Sequence, residues 1–159
     1  DKVDEDYTVQ PRKWNTKSIL RFTAIFGPFS AIFDFLTFIV MWFVIGKMEG
    51  ATVANGQLAP LFQAGWFIFG TLSQIVIVHV IRTKKIPFFQ SNASRPLIIS
   101  SILCAIGAIV VAFTPIANML SMTSLPLTYV PWLLLIIISY AFLTQLLKRL
   151  FIKIYGEWL

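Results

Sequence analysis

The stretch from Phe22 to Ile45, FTAIFGPFSAIFDFLTFIVMWFVI, constrains this chain most: 24 residues, mostly aromatic or aliphatic, with one ionisable side chain. As a helix it would be roughly 36 Å long, enough to cross a hydrocarbon core of about 30 Å with some tilt. That ionisable residue is Asp34, near the middle of the stretch. Insertion scales penalise a carboxylate there by about 2.5–3.5 kcal/mol, so it must find donors or reach water. Gly27-Pro28 stands two turns earlier, where the missing backbone donor predicts a kink. A kink followed by a mid-span acid points to a helix packed inside a larger membrane protein, with Asp34 facing the bundle interior.

The rest of the chain has the same character. Hydrophobic residues make up 57% of the 159, and charged residues only 13%. Soluble domains run nearer 45–50% apolar and about 25% charged. The net charge of +6 would suit a nucleic-acid partner, but its position argues for topology instead. All but one of the 13 lysines and arginines fall in residues 1–21, 82–96 and 148–159; Lys47 is the exception. Such blocks remain on the cytoplasmic side. The acidic start lacks the basic-then-apolar order of a signal peptide. A chain beginning at Asp1 is expected to be processed or cut from something longer.

Four spans follow, at 22–46, 61–81, 97–113 and 129–147. They are joined by an outside loop at 47–60, a basic cytoplasmic loop at 82–96 and an uncharged outside loop at 114–128. A cytoplasmic segment at 1–21 and a tail at 148–159 complete the chain. The expected fold is an all-α integral membrane bundle of two hairpins with both termini cytoplasmic. Ser18 is placed to cap the first helix, Trp14 to anchor at the interface, and Pro131 to occupy a first turn. Thr114-Pro115 ends the third span. Ser100, Cys104, Ala108 and Ala112 recur every four residues as a strip of small side chains, which in lipid favours close helix packing.

The catalytic inventory is thin. No phosphate loop, no HExxH motif and no paired cysteines occur. His79, the only histidine, is expected in a polar contact near the end of its span. The buried polar set comprises Asp34, Thr37, Ser73, Gln74, Ser139 and Tyr140. Of these, Asp34, Ser73 and Gln74 are the ion-pathway candidates, weighed against ordinary interhelical hydrogen bonding at about 0.6 kcal/mol per pair. Thr37, Ser73 and Gln74 are the donors within reach of Asp34. Arg82, Lys84, Lys85, Arg95, Lys148 and Arg149 form the clusters expected to attract anionic lipid.

The blocks PRKW (11–14), FGPFSAIFDFLTF (26–38), FQAGWFIFGTLSQIVIVHVIRTKKIPFFQS (62–91) and LPLTYVPW (125–132) resemble the carboxyl-terminal end of bacterial magnesium-transporting P-type ATPases. The resemblance covers essentially the whole chain, in order. It implies that the four spans are the seventh to tenth helices of a ten-helix pump in the inner membrane. Their partners would be the bilayer, with anionic lipids among its components, and the first six helices and cytoplasmic domains; no nucleic acid is implied. Such pumps use ATP and magnesium and phosphorylate the aspartate of a DKTG motif. DKTG, TGE and GDGxND are all absent here, so this segment should hold no cofactor and hydrolyse no ATP alone. Some P-type pumps add a ligand from the eighth helix, where Ser73 and Gln74 stand. Where related magnesium pumps carry an acid in the GWF block, this chain has Phe69. The expected role is therefore a support module of an ATP-driven magnesium importer. The alternative is an autonomous four-span protein, a small transporter or assembly factor.

Overall fold

In a computed structural model that describes residues 16–87, 90–156 and 158, the chain is all helical. Segment 1–15, with Trp14 and the PRKW block, lies outside the described residues, as do Phe88 and Phe89. Helix α1 runs from Thr16 to Ile39, then as a π-helix over Val40–Ile45 and a last α-turn over Gly46–Met48. Helices α2 (Leu58–Ile81), α3 (Arg95–Phe113) and α4 (Val130–Tyr155) follow. All four are long and apolar enough to cross a membrane.

The ends differ from expectation in instructive ways. Helix α1 is already formed at Thr16, so Ser18 lies within it and is buried rather than capping it. Regular α-helix continues through Pro28 and departs instead at Val40–Ile45. The wider π-turn slows the drift of side chains around the rod. It keeps both Met41 and Ile45, each fully buried, on the side facing α2. Pro131 does occupy the first turn of α4. Helix α3 stops at Thr114-Pro115, where the Thr114 hydroxyl donates to Val110 O at 2.6 Å. Helix α4 continues well past 147 and closes on Gly156, whose φ of 69° is the left-handed cap that glycine tolerates.

Helix α2 is the hub, in contact with each of the other three. Lipid supplies little hydrophobic drive between helices, so close van der Waals fit has to hold them. Small residues provide it: Ala64 and Ala112 are fully buried, and Gly65 lies directly under Met41. Only half of the small-residue strip on α3 packs. Ala108 and Ala112 are buried, while Ser100 and Cys104 are exposed among Ile99, Ile102, Leu103 and Ile106. That exposed apolar surface, continued on α4 by Leu134, Leu135, Ile138 and Phe142, suits contact with acyl chains.

Cross-links at each end show an up-and-down arrangement. At one end Thr128 Oγ1 donates to Glu49 Oε1 at 3.1 Å, and Leu125 N to Ala112 O at 2.8 Å. At the other, which carries the start of α1, the 82–96 loop and the end of α4, His79 Nε2 lies 3.0 Å from Ser101 Oγ. We call this second end the terminal end.

Candidate functional site

A groove of about 570 Å³ opens between α1 and α2, with Tyr140 of α4 at its back. Its polar lining comes from helical spacing. Ser30 and Asp34 are one turn apart on α1; Gln63, Gly70, Ser73 and Gln74 follow one face of α2. Ser30 Oγ and Tyr140 Oη are 3.1 Å apart and tie α1 to α4 behind the carboxylate.

Asp34 is half-buried and lines this groove rather than the bundle interior. The indole of Trp66 donates to it, Nε1 to Oδ1 at 3.3 Å. None of the three donors named from sequence fills that role. Thr37 stands about 60° around the helix from Asp34, on the sealed seam, fully buried with its hydroxyl unpartnered. Ser73 lines the groove but donates back to Gly70 O at 3.0 Å, a bond within its own helix. Gln74 is exposed at the groove's edge. Phe69 is 1% exposed and meets the Tyr140 ring edge-on at 6.3 Å, a core residue outside the groove lining. Among the described residues, no three His, Cys, Asp or Glu side chains gather as a metal site.

The basic residues at the terminal end divide into two kinds. Lys85, Arg95 and Arg149 are exposed and Lys84 is half-buried. Arg82 donates through Nη2 to Ser91 O at 3.1 Å and Ser91 Oγ at 3.3 Å, bracing the loop. Lys148 differs from all of them, because it is fully buried. Its ammonium donates to Val80 O at 3.0 Å and Lys85 O at 2.8 Å and sits 5.4 Å over the Trp158 ring. It caps carbonyls at the C-terminal end of α2, where a cation also meets the negative pole of the helix dipole. Lys148 is therefore not placed to bind a lipid head group. Trp158, beyond the end of α4, adds a second cap through Nε1 to Ile81 O at 2.9 Å.

Sequence reasoning missed Trp66, Ser30 and Trp158. For Ser30 the signal was present: it lies four residues before Asp34, on the same face. Lys148 also carried a signal. It falls on the stripe of Tyr129, Leu133, Ile136, Tyr140, Thr144 and Phe151, all buried, and a residue on that stripe faces the bundle.

Comparison with known proteins agrees with this architecture. The family described as "Cation transporting ATPase, C-terminus" matches residues 1–150. The chain is 43% identical over 159 residues, 99% of its length, to "Magnesium-transporting ATPase, P-type 1" of Salmonella typhimurium LT2. It is 44% identical over 156 residues, 98% of its length, to the protein of the same name in Escherichia coli K12. It spans 17% of the length of each of these relatives. A four-helix membrane bundle matched over nearly its whole length in this way belongs to the cation-transporting ATPase C-terminal family.

Proposed function

We propose that this chain is the C-terminal support module of an ATP-driven magnesium importer of the bacterial inner membrane. Its partners would be the transport helices and cytoplasmic domains of the parent pump. ATP binding and phosphorylation would reside in those other parts. One observation carries the reading: the polar groove with Asp34 lies on the flank of the bundle, not in its interior. Polar groups at mid-membrane face protein or a water-filled cavity, never bare lipid. A flank of this kind suits a module that receives transport helices, with Asp34, Ser73 and Gln74 at the joint. Asp34 then acts as a hydrogen-bonding anchor.

The test is magnesium-uptake complementation by the full-length pump. Asp34→Asn, which preserves size and an acceptor for Trp66, should support near-normal uptake. Asp34→Leu should insert poorly or lose bundle stability. Normal insertion of Asp34→Asn with abolished uptake would sink the anchor role and make Asp34, Ser73 and Gln74 part of the ion path.

We further propose that the terminal end is cytoplasmic, supported by the lysine and arginine asymmetry. With native cysteines removed, Val53→Cys and Thr123→Cys should react with an impermeant thiol reagent outside intact cells. Asn92→Cys should react only after lysis, and the opposite pattern would reverse the orientation.

At that face Arg82, Lys84, Lys85, Arg95 and Arg149 would attract anionic head groups by about 1 kcal/mol each, screened by salt. The pump should bind phosphatidylglycerol nanodiscs more tightly than phosphatidylcholine ones at low salt and lose the difference at high salt. Equal binding at low salt would leave these residues as topology signals only.

A further inference from the structure

Toward the terminal end the lining of the groove stops at Ser30 on α1 and Ile77 on α2. On α1 the stripe Asp34, Ser30 continues one turn further to Phe26 and then to Phe22, where polar lining gives way to aromatic rings. On α2 the lining ends at Ile77, and one turn beyond it is Ile81. Trp158 fills the space between these two helices. Its ring centroid is 5.6 Å from that of Phe22, 5.8 Å from Phe26 and 5.7 Å from Phe151. Ile77 both lines the groove and packs on this aromatic cluster, so groove and cluster share a wall.

Trp158 is also held from several directions. Gly156 in its left-handed conformation turns the chain back at the end of α4. The indole N–H is bound to Ile81 O, the Lys148 ammonium covers one part of the ring, and only 2% of the residue remains exposed. A tryptophan three residues past the end of a helix loses considerable conformational freedom to be held this way. Its packing and its N–H bond both favour the closed position.

We propose that Trp158 is a plug that seals the terminal end of the Asp34 groove. Asp34, Ser73 and Gln74 then have no water connection to the terminal face while the indole is seated. Release of Trp158 would open that end, since its indole occupies the space beside Phe22 and Phe26. The indole thus decides on which side the polar flank can exchange water or ions. The geometry of closure is independent of whether transport helices occupy the groove, although its consequence for pumping rests on the function proposed above.

The experiment uses the full-length pump with Ser73→Cys on the groove and its native cysteines, including the exposed Cys104, replaced. An impermeant methanethiosulfonate is applied to each membrane face in turn, in right-side-out and inside-out vesicles. This reads the effect whichever way the bundle is inserted. With Trp158 intact, labelling from the terminal face should be slow. Trp158→Ala should accelerate it by about tenfold or more, as local opening replaces a closed state. Trp158→Phe, which retains a ring but loses the donor to Ile81, should give a smaller rise in the same direction. Thr123→Cys at the opposite end should remain unreactive from that face in every background. Unchanged Ser73→Cys labelling in these variants would overturn the plug, and so would an equal rise at Thr123→Cys, which reports unfolding or leak. Should Trp158→Ala fail to reach the membrane, Trp158→Phe decides alone, and no rise there counts against the proposal.

Discussion

Replacing Lys148 by Met should lower the melting temperature of the full-length pump by several degrees, a loss of about 2–4 kcal/mol in the bundle. Methionine fills a similar volume, so the change removes the ammonium without opening a large cavity. What it leaves behind is the Val80 and Lys85 carbonyls that the ammonium now serves. Each orphaned buried acceptor costs about 1–3 kcal/mol, and relief of the lysine's own desolvation offsets part of that. Lys148→Ala should cost more, because the stem that packs within the bundle is lost as well. The measurement is a thermal melt in detergent, followed by intrinsic fluorescence or by monodisperse size-exclusion recovery. The same variant should leave the salt-dependent affinity for anionic nanodiscs unchanged. An unaltered melt with weaker anionic-lipid binding would return Lys148 to the head-group role first assigned from its position after the fourth span.

Gly65→Leu should be still more damaging, because it acts where the Met41 side chain of α1 rests on the backbone of α2. A Cβ built on Gly65 would lie 2.7 Å from both Cε and Cγ of Met41. Met41 is fully buried and has little room to withdraw. Tyr129, fully buried at the N-cap of α4, donates its hydroxyl to Gly65 O at 3.4 Å, so a shift of this turn disturbs a third helix. Overpacking of this kind costs about 1–3 kcal/mol and at times more. Gly65→Ala should fall at the low end of that range and Gly65→Leu at or beyond the high end. Poor expression and a melt lowered by about 5–10 °C are expected for the leucine variant. Met41→Ala should rescue Gly65→Ala, since it removes the atoms that clash; the pair should couple by about 1 kcal/mol or more in a double-mutant cycle. Additive effects would show that the close approach at Gly65 is not what limits this contact. Trp66, the donor to Asp34, is the next residue, so variants at Gly65 should also disturb the groove.

How much of this was legible from the chain alone depends on the range of the physics involved. The four spans were legible because a hydrocarbon solvent acts on every residue of a segment at once, and long apolar runs need no partner to be recognised. The turn residues Pro131 and Thr114-Pro115 are likewise local signals. The isolation of Asp34 in an apolar run marked it as a residue in need of company, but not which company. Its partner Trp66 is 32 positions away, and the choice between Trp66 and Thr37 turns on about 60° of helix rotation. The irregularity of α1 was expected at Pro28, where the sequence lacks a donor. It occurs at Val40–Ile45, the stretch in which Met41 packs on Gly65, and no local feature of VMWFVI reports it. Lys148 was misread because its charge was weighed and its phase was not. A lysine on the stripe of Tyr140, Thr144 and Phe151 faces the bundle, but what makes it tolerable there is a pair of carbonyls 63 and 68 residues earlier in the chain. Composition and periodicity therefore determined the spans and their alternation. Which polar groups meet, and where the groove is closed, depended on contacts between residues distant in sequence, whose distances and angles exist only once the helices have packed.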